Sequence, residues 1–191
     1  MPLHLACLDG HLTIAKYLIE EQHCDPACKK NDGWTPLHSA CQNGHLNVAK
    51  YLIEEQHCDP ACKDNDGWMP LHSACQNGHL TVAKYFIEEQ HCDPACKEND
   101  GWTPLLVACR YGQLDIAKYL IEEKHCDPAY GNTLLRLHNL YNPYRNIYDE
   151  NSPLSFACQS HQLDLVVYLV CLLYTSPSPR DATLSRMPSS A

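Results

Sequence analysis

The sequence lacks any run of about 18 consecutive apolar residues, the length a helix needs to cross a bilayer, so no membrane span is expected in its 191 residues. It lacks a basic excess. Fourteen lysines and arginines stand against 23 aspartates and glutamates, a formal net charge of -9. A nucleic-acid backbone calls for a basic surface, so no nucleic-acid partner is expected. There is no glycine-rich phosphate loop, and no serine or cysteine nucleophile stands beside a base of its own. Neither catalysis nor a cofactor is expected. No secretory leader opens the chain, since Met1-Pro2-Leu3-His4 runs straight into the pattern described next. Thirteen cysteines are present, but the number is odd and their positions are periodic. Reduced thiols in the cytoplasm or nucleus are therefore expected rather than a disulfide framework.

What the chain has in abundance is repetition. Gly33–Asp66 reads GWTPLHSACQNGHLNVAKYLIEEQHCDPACKDND. It returns as Gly67–Asp100 with Met69 for Thr35, Thr81 for Asn47, Phe86 for Leu52 and Glu98 for Asp64, and again more loosely from Gly101. Pro2, Pro36, Pro70 and Pro104 are 34 apart, and Pro153 aligns a fifth unit after an insertion of 15 residues. A period of this size marks a solenoid, in which no unit buries its apolar face alone and each stacks on its neighbours.

The physics of one unit predicts two helices. Thr35 suits an N-cap and Pro36 the first helical position, where its missing N–H costs nothing. Leu37, Ala40 and Cys41 lie on one face, and Asn43-Gly44 ends the helix. A second helix is expected near Leu46, with Val48, Ala49, Leu52 and Ile53 buried and Lys50 and Glu54 outside. Asp59-Pro60 breaks it, and Lys63–Gly67 forms a turn-rich tip. Met69 loses the capping hydroxyl, which should weaken the third unit's first helix by roughly 1 kcal/mol.

The motif TPLHSAC…GHL, recurring in register, resembles the ankyrin repeat family, whose signature is T-P-L-H-x-A. The resemblance implies an all-α, ankyrin-type solenoid of helix-turn-helix units with β-hairpin loops, an array of about five units over residues 1–170. Against the usual unit of about 33 residues, one residue is extra, and it falls in Glu55-Gln56-His57-Cys58, where the family usually has a glycine. The second helix should end longer or with a different cap. The insertion near 129–151 reads as a surface loop carrying Tyr141 and Tyr144, or as an eroded repeat start. Cys171–Asp181 and Ser185–Ala191 resemble translations of a sequencing adapter and of the primer that follows it, so 171–191 reads as a non-native tail. The chain is expected to be a fragment of a longer ankyrin repeat protein, because unit one begins inside the motif and the natural sequence should continue past Val170.

Each chemical motif has a plainer alternative. His23-Cys24…Cys28 and its repeats have zinc-like spacing, but stacked units about 10 Å apart would each need four ligands of their own. Small buried thiols suit Cys41, Cys58 and Cys62 better, and no metal site is assigned. Cys7, Cys41, Cys75, Cys109 and Cys158 should be buried and unpaired. The histidines His4, His38, His72 and His11, His45, His79 are structural in the family. The paired glutamates (Glu20/Glu21, Glu54/Glu55, Glu88/Glu89, Glu122/Glu123) read as a solvated outer face. Trp34, Trp68 and Trp102 occupy a position that the resemblance places on the partner-facing side, where aromatics either stack on one another or make binding hot spots. The candidate binding residues are those tryptophans with Ser39, Gln42, Asn43, Ser73, Gln76, Asn77, Val107, Arg110, Tyr111, Tyr141 and Tyr144. Val107, Arg110 and Tyr111 break the repeat where units two and three are identical.

The expected function is a monomeric, non-catalytic protein–protein interaction module or scaffold, with a protein partner. The competing expectations are the recognition part of a larger enzyme, or a Cys/His metal-binding array.

Overall fold

The computed structural model describes residues 1–129 and 152–175, with side chains to Leu173. The regular elements among the described residues are all helices, with no strand. Five first helices start at the repeated proline: α1 Pro2–Leu8, α3 Pro36–Gln42, α5 Pro70–Gln76, α7 Pro104–Arg110 and α9 Pro153–Gln159. Five second helices start with leucine: α2 Leu12–Glu20, α4 Leu46–Lys50, α6 Leu80–Lys84, α8 Leu114–Lys118 and α10 Leu163–Thr175. First helices pack on one another in chain order, α1 on α3, α3 on α5, α5 on α7 and α7 on α9. The core is a set of columns along the stack. Leu3, Leu37, Leu71, Leu105 and Leu154 form one, and Leu52, Phe86, Leu120 and Leu169 another, all buried. Burying each such side chain contributes about 1.5–3 kcal/mol.

The extra residue of the repeat is absorbed at the end of the second helix. α4, α6 and α8 widen into π-helical turns, Tyr51–Glu55, Tyr85–Glu89 and Tyr119–Glu123. There Gln56 N–H donates to Tyr51 O five residues back (3.2 Å), and Cys58 N–H closes the end on Leu52 O (2.9 Å). The residue between them, His57, is left-handed with φ 55°, and His23, His91 and His125 repeat it. Histidine thus occupies a position that glycine would take more cheaply.

The tips are turns rather than strands. Lys30 N–H donates to Trp34 O and Gly33 N–H to Lys30 O, each at 2.9 Å. Successive tips are tied together by Asn65 N–H to Asp32 O and Asn99 N–H to Asp66 O, also 2.9 Å. Among the described residues each tip makes too few bonds to its own flank to form the expected β-hairpin ladder. Helix α10 runs on through Cys171–Thr175. The insertion's Tyr141 and Tyr144, and residues 176–191, lie outside the described residues.

Among the cysteines all thirteen are free. Cys7, Cys41, Cys75 and Cys109 are buried as expected, but Cys158 is exposed. In an inner unit this thiol lies under the next unit's helix end, as Cys7 lies near Cys58. No described unit follows Cys158.

Candidate partner-binding face

The tip side is held in place by the first-helix histidines. In unit two, His38 Nε2–H donates to Trp68 O in the next tip (3.0 Å). A carbonyl can only accept, so Nε2 carries the hydrogen and Nδ1 is an acceptor. Nδ1 takes Thr35 N–H at 3.3 Å and the Thr35 hydroxyl at 2.8 Å, while that hydroxyl oxygen caps His38 N–H. His4 and His72 make the same reach, to Trp34 O and Trp102 O. Burial holds all three imidazoles below their ordinary pKa, and His72 falls to about 4. They are neutral locks, without the exposure that acid–base chemistry needs. In unit three Met69 keeps the backbone half of the cap, its N–H donating to His72 Nδ1 at 3.3 Å. Its side chain is buried, which offsets part of the lost hydroxyl.

The three tryptophans are half-buried and do not form one continuous stack. Trp34 and Trp68 tilt against His38 and His72, with centroids 4.8 and 5.0 Å apart. Their indole N–H groups donate to Ser39 and Ser73 Oγ at 3.1 and 3.0 Å. Those serines are buried, so they support the tryptophans and do not face a partner. Unit four differs. Leu106 and Val107 stand where the histidine and serine would be, and Trp102 packs on Phe156 of unit five (4.7 Å).

Of the remaining candidates, Gln42, Arg110 and Tyr111 are exposed and Gln76 is half-buried. Asn43 and Asn77 are exposed but committed. Asn43 donates to Leu8 O (2.9 Å) across units, and Asn77 to Ser73 O (3.0 Å) in its own helix. Val107 is a correction, since its side chain is 0% exposed and belongs to the core. The departure from the repeat there acts by removing Trp102's internal acceptor. Arg110 lies over both rings of the junction, its Cζ 5.3 Å from the Trp102 centroid and 5.7 Å from that of Phe156.

The opposite face carries a second array, which the sequence reading missed. The first glutamate of each pair accepts from the next unit's tyrosine hydroxyl: Tyr51 to Glu20, Tyr85 to Glu54, Tyr119 to Glu88 and Tyr168 to Glu122, at 2.8–3.0 Å. The second pairs with the preceding unit's lysine, Lys16–Glu55, Lys50–Glu89 and Lys84–Glu123, each 3.4 Å. The same lysines sit 4.7 Å over Tyr51, Tyr85 and Tyr119. The glutamates are therefore inter-unit ties rather than a merely solvated surface. The available signal was the fixed offset of Lys, Tyr and Glu within each unit.

The zinc reading finds no support in the geometry. Among the described residues no three His, Cys, Asp or Glu side chains converge as a metal centre requires. Cys62 Sγ lies 3.6 Å from Thr35 Oγ1 and 3.9 Å from His38 Nδ1, and burial raises its thiol pKa. No described helix is long and apolar enough to cross a membrane.

Stacked helix pairs, TPLH histidines reaching the next tip and a fixed register agree with comparison to known families. A model of ankyrin repeats matches residues 1–64, 56–132 and 90–181. The chain belongs to the ankyrin repeat family. A search of curated proteins finds no match. Ankyrin repeats are generally protein–protein interaction modules, and the fold is a scaffold whose specificity lies in surface residues. In this ankyrin array Arg110 and Tyr111 are exposed first-helix positions at which unit four departs from units two and three, as Leu5 and Asp9 are in unit one.

Proposed function

We propose that this ankyrin array is a non-catalytic, monomeric protein-binding module whose partner lies across the tips and the inner sides of the first helices. The observation that carries the reading is the division of labour between the two faces. The outer face spends its lysines, tyrosines and glutamates on bonds between units. The tip side leaves Gln42, Arg110 and Tyr111 exposed beside half-buried tryptophans. Aromatic and arginine side chains among small polar groups suit a protein partner. Thirteen free thiols support a reducing compartment, the cytoplasm or nucleus. The array proper is taken as residues 1–170. The adapter-like sequence from Cys171 has no part in binding on this reading.

The test is a pair of substitutions read against a captured partner. Trp68→Ala with Tyr111→Ala should weaken binding while the helical circular dichroism stays constant. Binding that survives this pair but is lost on replacing Glu54, Glu88 and Lys84 would move the site to the outer face.

A further inference from the structure

The geometry points to a carboxylate-binding site at the junction of units four and five, built from Arg110, the Trp102 indole N–H and Tyr111. It takes an aspartate or glutamate side chain of the partner. This rests on the protein-binding reading above and names the chemistry of the partner.

Three observations converge. Arg110 is the first arginine in the sequence and is exposed. The ion pairs seen among the described residues are made by lysines, and none of those carboxylates reaches Arg110. Its guanidinium carbon lies over the Trp102 and Phe156 rings, 5.3 and 5.7 Å from their centroids. A guanidinium resting on aromatic rings still has N–H donors for an anion. The second observation is the indole. Trp34 and Trp68 each donate their N–H to a serine of their own unit. Val107 offers no acceptor at that place, and no acceptor among the described residues takes Trp102 Nε1–H. That donor is not trapped, because no buried side-chain nitrogen among the described residues lacks a partner. The third is Tyr111, 47% exposed on the helix end beside Arg110, where units two and three carry asparagine.

A guanidinium and an indole N–H are both donors, and a carboxylate has two oxygens to accept them. A phosphate dianion calls for a cluster of arginines, and this junction has one. An exposed cation held against two aromatic rings is what makes a single acidic residue worth recognising on a chain that is otherwise acidic.

The experiment selects a random displayed peptide library on the full chain and counter-selects on Arg110→Gln, which copies the residue of units two and three. Enriched peptides should share an aspartate or glutamate. Their Kd should weaken about tenfold or more on Arg110→Gln. It should weaken by a smaller factor on Val107→Ser, which returns an acceptor to the indole. Changing the peptide's acid to its amide should cost the same factor on the wild type and nothing on Arg110→Gln. Enriched peptides without an acidic residue, peptides indifferent to Arg110→Gln, or no enrichment at all would overturn the site. The broader reading is judged separately. If acid-free peptides still lose binding on Trp68→Ala with Tyr111→Ala, the face stands and only its chemistry is wrong.

Discussion

Units two and three and units four and five share the tyrosine–glutamate bond of the outer face and differ on the inner one. On the outside the tyrosine–glutamate bond runs from Tyr85 to Glu54 at 2.9 Å and from Tyr168 to Glu122 at 2.8 Å. The second pair spans 46 residues instead of 31 because of the insertion, yet the bond is the same. On the inside, the buried His and Ser with the half-buried Trp of units two and three give way to Leu106 and Val107, with Trp102 against Phe156 and Arg110 over both rings. His72 reaches Trp102 O in the following tip. Leu106 offers no ring nitrogen for such a reach. The tyrosine–glutamate bond thus ties every junction of the stack, while the histidine tie of the tip side is lost after unit three.

The largest test of the comparison uses glycine. Gly44 has φ 75°, and a Cβ there would strike the His79 ring. That ring is tied through Nε2 to Gln42 O (3.0 Å), a bond it must give up to yield. Gly44→Ala should cost about 2–5 kcal/mol from left-handed strain plus overpacking. Gly112, φ 73°, faces the flexible Gln162 side chain instead. Gly112→Ala should cost only the strain, about 1–2 kcal/mol. Chemical denaturation of both variants checks the ranking, and equal losses would break the contrast.

The second test is pH. His72 is neutral in the fold, with its pKa lowered from 6.5 to about 4 by burial. Between those values the unfolded chain binds the extra proton, so stability is full above pH 6.5 and is lost as pH falls towards 4. His72→Leu, which copies unit four, should flatten the melting-temperature profile in that window. An unchanged slope would show that other groups carry the acid sensitivity.

Smaller effects come next. Met69→Thr should restore the hydroxyl cap and stabilise by less than about 1 kcal/mol, since buried Met69 already recovers part of the loss. Finally, a double-mutant cycle on Lys50 and Glu89 should give about 0.5 kcal/mol, as both are well exposed. A coupling near zero would demote the outer ladder to its tyrosine bonds.

Much of the fold was legible because a repeated sequence repeats its physics. Proline positions gave every first helix, and the spacing of Val48, Ala49, Leu52 and Ile53 gave a buried stripe. The site was less legible. Val107 looked like a surface departure, but its depth depends on how tightly α7 packs between α5 and α9. Cys158 matched four buried thiols by sequence, and its exposure depends on what stacks above it. The Lys–Tyr–Glu ladder joins residues 31 and 39 apart, so it requires the rotation between units, which spacing within one unit does not supply.

The most direct measurement transplants the ordinary inner face onto the junction. Leu106→His, Val107→Ser, Arg110→Gln and Tyr111→Asn together give unit four the residues of units two and three. Partner affinity and the thermal melt are then measured on the same preparation. The account predicts a folded array with its helical signal intact and its binding lost. Full binding by that variant would contradict it.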